Sequence, residues 1–170
     1  GMAETMGLAV LAVLAIALFL GNVRAPLLEP TEARYAEIPR QMLLNGSWLV
    51  PVLDGQPYLD KPPLFYWLVM GAYQVGGVSD RVARWVPGLA GILTVLVAWA
   101  WMRCRAGPRA AFLSAFLLVT CARFIHYERM LAMDSVLCLL MVASLACGDL
   151  ACHSGTFSRS WWFAGAFAVG

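Results

Sequence analysis

Charge is missing from five long stretches of this chain, and that absence constrains its fold more than any motif does. No Asp, Glu, Lys or Arg falls in 5–23, 85–102, 110–122, 135–148 or 160–170, whereas 24–84 holds twelve of the 22 charged residues. Only 13% of the 170 residues are charged and 61% are hydrophobic, against roughly 25% charged in soluble domains. Water does not tolerate so much apolar surface, so the bilayer is the solvent for most of the chain. Backbone in hydrocarbon must hydrogen-bond within its own segment, and no alternating barrel pattern is present, so the spans are helices. A formal net charge of +2 without any dense basic run argues against a nucleic-acid partner.

The fold class that follows is an all-α polytopic membrane protein with external interfacial helices. Spans are expected at about 6–23, 83–103, 107–124 and 133–152, with an incomplete fifth at 160–170. The first reads as a retained helix, because a signal peptide would want a basic start and a small-x-small cleavage site. "GMAET" has no basic residue, and "GNVRAPL" cleaves poorly. The short loop "RCRAGPR" carries Arg103, Arg105 and Arg109 with no acid, which marks it cytoplasmic by the positive-inside tendency. The loop 24–82 and the segment 123–134 then face outward. Inside the loop, 29–46 predicts an amphipathic helix capped by Thr31, kinked at Pro39 and ended by Asn45-Gly46. The apolar stretch 62–77 is too short for a span and predicts an interfacial or re-entrant helix. The five cysteines form no CxxC pair and have no zinc-type histidine spacing, so they read as small membrane-helix residues.

Three polar clusters share the outer side. The first holds Glu29, Glu32, Arg34, Tyr35 and Glu37. The second is Asp60-Lys61, and Lys61 is the only lysine in the chain. The third holds Arg123, His126, Glu128 and Arg129 ahead of Asp134, which opens an apolar helix. Ionisable groups at such a depth are costly unless paired, wetted or used. Cations that hold a phosphate, beside a carboxylate that orients or deprotonates an acceptor, would suit a lipid phosphate at the headgroup level. Tyr58, Tyr66 and Trp67 fit anchors at that level. Plainer readings stand beside these. Glu32 and Glu37 also fit the solvated face of a surface helix, Lys61 also fits a snorkelling anchor, and Arg129 with Asp134 also fits a structural pair. No carboxylate cluster has metal-site spacing, so neither metal nor cofactor is expected.

The stretch "EARYAEIPRQMLLNGSWLVPVLDGQPYLDKPPLFYW" resembles the first external loop of bacterial aminoarabinose (lipid A) transferases. "ERMLAMDSVL" resembles the Arg-x-x-x-x-Asp that opens a later helix in that group. The group shares its architecture with protein O-mannosyltransferases in the glycosyltransferase C superfamily. The resemblance covers most of 1–150 and implies an amino-terminal part of a longer chain. It implies an inverting transferase of the bacterial inner membrane that moves a sugar from a polyprenyl-phosphate donor to a lipid or protein acceptor on the periplasmic face. A polyprenyl-phosphate-binding subunit without chemistry is the alternative. Glu32 and Asp134 match the catalytic acids by this resemblance. Arg34, Tyr35, Asp60, Lys61 and Arg129 match substrate-binding positions. Thr31 stands where the group often has Asp, and Pro39 where it has a helix former.

Overall fold

The computed structural model describes residues 2–21, 30–153 and 165. Glu29 and, apart from Gly165, the expected last span at 160–170 lie outside the described residues. The fold is helical, with a minimal two-stranded ribbon in the loop between α2 and α3. Its elements are α1 (Met2–Leu20), α2 (Pro30–Asn45), β1 (Val52–Leu53), β2 (Gln56–Pro57), α3 (Leu64–Gly76), α4 (Asp80–Ala83), α5 (Trp85–Ala106), α6 (Pro108–Thr120), α7 (Ala122–Arg129) and α8 (Asp134–His153).

Two helical stretches are long and apolar enough to cross a membrane, Asp80–Ala106 through α4 and α5, and Asp134–His153 in α8. A third arises if α6 and α7 count as one broken span, bent by 62°. The bend falls at Cys121, whose backbone is extended. Beyond it, eight residues carry Arg123, His126, Glu128 and Arg129. We therefore read α6 as the apolar limb and α7 as lying outside the spans. α1 adds a shorter apolar stretch, Ala9–Leu20. Gly107, at φ +85°, and Pro108 reverse the chain between α5 and α6. Glycine tolerates that left-handed backbone, and proline at the first helical position sacrifices no hydrogen bond.

Two cores form. In the membrane-facing one, Leu11, Ala15 and Phe19 of α1 pack with Val95 of α5 and with Ala115 and Val119 of α6. The other lies where α2 and α3 pack against the start of α5 and of α8. There Tyr35, Ile38 and Met42 of α2 meet Phe65, Tyr66, Val69, Met70 and Tyr73 of α3, together with Val86, Leu131 and Val136. The α3 residues recur at helical spacing, so one face of that short helix is core while Leu64 and Leu68 stay exposed. Thirteen residues rise only about 20 Å, less than a bilayer core.

Two local expectations change. Thr31 lies in the first turn of α2, which begins at Pro30, so it is not the cap. Pro39 is contained within a single continuous helix and is fully buried. The ribbon was not anticipated. It pairs Val52 with Pro57 and Leu53 with Gln56 around Asp54-Gly55, both at positive φ (51° and 76°). Asp-Gly is the dipeptide that a two-residue hairpin turn of this hand favours.

Candidate functional site

The site gathers where the α2–α3 core meets the start of α8. Tyr35 projects from α2 into that core, 5.5 Å from the Phe65 ring and 6.3 Å from the Tyr66 ring between centroids. Burial pushes its phenol up first, followed by the nearby Tyr58 and Asp134, while Arg34 pulls it down. The Tyr66 phenol is also raised, chiefly by burial and then by Tyr58, Tyr35 and Asp60, with Arg34 again opposing. Such influences act only at close range. Arg34, Tyr35, Tyr58, Asp60 and Asp134, drawn from three separate segments, therefore share one neighbourhood.

Arg34, Asp60, Lys61 and Asp134 are all exposed. Among the described residues none of these four side chains makes a hydrogen bond or ion pair, so their charges are available to a ligand. Lys61 follows a stapled loop. Tyr58 N–H donates to Pro51 O at 2.8 Å and Asp54 N–H to the Gln41 side-chain oxygen at 3.1 Å, fastening the ribbon to itself and to α2. Trp67 Nε1 donates to Trp48 O at 2.6 Å beyond it. Trp67 is partly exposed, as an interfacial anchor would be, but Tyr66 is completely buried. The reading of Tyr66 as a headgroup anchor is corrected by the face it presents to Tyr35 and Phe65.

Glu32 is placed differently from the other predicted residues. It is 5% exposed. Its Oε2 lies 3.2 Å from Arg84 Nη2, and Leu131 N–H donates to its Oε1 at 2.7 Å. The carboxylate ties the first turn of α2 to the α4–α5 junction and to the α7–α8 turn. Glu37, by contrast, makes a surface pair with Arg40 and takes a bond from Gln41. That is the solvated-face reading for Glu37. Arg129 is half-buried and shares a cavity of about 360 Å³ with Glu32, Arg84 and His126. On the other side of α7, a cavity of about 460 Å³ is lined by Arg123, Tyr127, Glu128, Asp134 and Ser135.

Sequence reasoning missed Arg84 and undervalued Glu128. Arg84 stands directly before the charge-free run of α5, which was the available signal. Glu128 is 1% exposed, and burial pushes its carboxyl up to about 7, with a Ser135 hydrogen bond partly offsetting the rise.

Comparison with known proteins decides the family. Residues 6–169 match the profile of the dolichyl-phosphate-mannose-protein mannosyltransferase family. The chain belongs to this family. Within it, the chain is 32% identical over 146 residues to an undecaprenyl phosphate-α-4-amino-4-deoxy-L-arabinose arabinosyl transferase of Edwardsiella ictaluri, covering 85% of this chain and 26% of that one. The namesake of Erwinia tasmaniensis is 31% identical over 129 residues, 75% of this chain and 23% of the relative. The crystal structure of ArnT from Cupriavidus metallidurans bound to undecaprenyl phosphate superposes with a TM-score of 0.87 at 26% identity, over 97% of this chain and 30% of that one. Its apo state gives 0.90 at the same identity, over 98% and 32%. The mannosyltransferase-family chain thus spans about a quarter to a third of its relatives' length. The resemblance read from the two motifs and the helical glycosyltransferase C architecture are both borne out.

Proposed function

We propose that the full-length protein is an inverting glycosyltransferase of the bacterial inner membrane that takes its sugar from a polyprenyl-phosphate carrier. Support comes from the relatives' names, from undecaprenyl phosphate in one solved neighbour, and from the site's own geometry. The observation that carries the reading is the convergence of unpaired Arg34 and Asp134 on the buried Tyr35, next to the stapled Lys61 loop. Lys61 and Arg34 meet the carrier phosphate and stabilise the charge that gathers on it as the anomeric C–O bond breaks. The leaving group is already a phosphate, so it needs cations more than a proton. Asp134 orients the acceptor hydroxyl and takes its proton as the acceptor oxygen bonds the anomeric carbon from the opposite face. Tyr35 and Asp60 shape the surroundings of these groups, and Arg129 serves the substrate from the neighbouring cavity on the Glu32 side of α7. Glu32, committed to Arg84 and Leu131, serves by holding α2 in register. The positive loop Arg103–Arg109 supports a cytoplasmic turn between α5 and α6 and, with it, a site facing the periplasm.

The acceptor is a lipid of the lipid A type, the class that the resemblance of the two motifs implies. The family profile favours a second reading, in which the acceptor is a protein. Full-length protein supplied with undecaprenyl phosphate-aminoarabinose and either lipid A or a Ser/Thr-rich peptide separates the two. Transfer to lipid A that disappears in Asp134→Ala, at unchanged membrane abundance, is expected. Full transfer by Asp134→Ala would sink the mechanism.

A further inference from the structure

The cavity between the α6–α7 bend and α8 has a two-sided character that the reaction above does not use. At about 460 Å³ it lies within the roughly 300–1,000 Å³ of small-molecule sites. Asp134 stands in its wall, and so does Cys138, one turn further along α8. Residues four apart on a helix share a face and lie about 6 Å apart along the axis. Leu118 and Cys121 at the end of α6 and Phe124 at the start of α7 complete the apolar side. The cavity therefore lies at the 62° bend, where α7 turns out of line with α6.

Glu128 closes the side towards α5. It lines the cavity and is 1% exposed, and its side chain fills a notch at Gly91 of α5. A Cβ at position 91 would stand 2.7 Å from both Cγ and Oε2 of Glu128. At the polar rim the Arg123 guanidinium lies 5.6 Å from the centre of the Tyr127 ring, an attraction that seats a cation there. Leu117 and Leu137, next in sequence to lining residues, are 65% and 54% exposed. Apolar surface thus continues from the cavity onto the outside of the spans, while a carboxylate and a cation mark its rim.

We infer that this cavity seats a hydrocarbon chain of a lipid acceptor, which runs past Cys138 with its head group at Asp134 and Arg123. This rests on the reading of Asp134 as the carboxylate that meets the acceptor hydroxyl. The donor's chain does not suit the place, because Arg34 and Lys61, which meet the donor phosphate, are not in this wall. A peptide would set backbone N–H and C=O groups against Leu118, Phe124 and Cys138, which is costly wherever they stay unbonded. A chain that leaves the bilayer for an apolar wall gains little, because lipid tails are as apolar as leucine. The cavity accordingly aligns and selects the acceptor more than it adds affinity.

The test uses full-length protein, with Cys138 as its reporter. Alkylation of Cys138 by N-ethylmaleimide, followed by peptide mass spectrometry, is expected to slow about fivefold or more under saturating lipid A. Undecaprenyl phosphate is expected to leave the rate unchanged. Protection by undecaprenyl phosphate equal to or greater than that by lipid A overturns the inference. So does a Cys138 that never reacts, because the protein itself then covers the cavity, and so does a rate that neither lipid alters. A second arm measures transfer from undecaprenyl phosphate-aminoarabinose by Cys138→Phe, which narrows the cavity. Its kcat/KM is expected to fall about tenfold or more for lipid A and less than twofold for fully deacylated lipid A. Equal losses for the two acceptors overturn the inference, since the ring would then disturb more than the chain. Asp134→Asn separates the two levels. If it stays active, the reading of Asp134 falls and takes this inference with it. If it is inactive while lipid A fails to protect Cys138, only the chain's seat is lost.

Discussion

Arg84 and Glu32 lie 52 positions apart in sequence, yet they meet with both side chains 7% exposed and 3.2 Å between Nη2 and Oε2. Desolvating two charges offsets much of their attraction, so the pair is weak evidence for net stability. Its value is geometric, because the pair and the Leu131 N–H bond fix three segments at one point.

Breaking that point from one side is expected to be costly. Arg84→Ala or Glu32→Ala removes one member of a buried ion pair and should destabilise the full-length protein by about 3–5 kcal/mol. Replacing both, as Arg84→Met with Glu32→Leu, should cost clearly less than the two single changes together. Thermal unfolding in detergent of the two singles and the double checks this, and additive losses would contradict it.

Glu128 predicts a pH dependence of the opposite sign to an ordinary surface carboxylate. Its folded value, about 7, lies above the ordinary 4.5, so the folded state binds the proton more tightly. The stabilisation linked to this group is fully present below about 4.5 and is lost as pH rises through about 7. At about 1.4 kcal/mol per unit the loss is on the order of 3 kcal/mol. Glu128→Gln has no such titration, so its unfolding temperature should exceed the wild type's at pH 8 by more than at pH 5. Equal differences at both values would refute this.

Gly91 and Glu128 should behave as one unit. Gly91→Ala forces a methyl against the Glu128 side chain at 2.7 Å and should cost about 1–3 kcal/mol. Adding Glu128→Ala vacates the space, so the double variant should lose less than the sum of the singles. A double-mutant cycle on unfolding temperature or denaturant midpoint reads the coupling, and a value near zero would remove the notch argument.

Lys61→Ala should weaken binding of undecaprenyl phosphate to the full-length protein by about 1.5–3 kcal/mol, the worth of a hydrogen bond to a charged group. The wild-type affinity should fall with salt more steeply than the variant's, because an exposed ammonium is screened. Glu37→Ala, which disturbs the surface pair with Arg40 and the bond from Gln41, should bind like wild type. Unchanged affinity in Lys61→Ala would remove Lys61 from the phosphate site.

The legible part of this molecule was the part written in local pattern. Charge-free runs announced α5 and α8, and the two motifs singled out Arg34, Lys61 and Asp134, which are exposed in the structure. Tyr66 was misplaced although Phe65, Tyr66, Val69, Met70 and Tyr73 already marked a buried helical face. The spacing was available, but aromatic residues near Lys61 were given to the headgroup level first. The Asp54-Gly55 turn carried its own signal too. Arg84 differs in kind. Nothing local distinguishes a buried arginine from a boundary charge, because its partner is chosen by the tertiary arrangement. Glu128 likewise looked like one of several polar groups until Gly91 and the turn of α8 enclosed it.

The ribbon at Val52–Pro57 has a consequence for recognition energetics. A lysine on a slack loop would have to surrender backbone freedom each time it gripped an anion, at roughly 1–2 kcal/mol per residue ordered. Here Tyr58 is bonded to Pro51, and Asp54 to Gln41, before any ligand arrives. Folding has already met that entropic charge, so more of the contact energy at Lys61 is left for holding the phosphate.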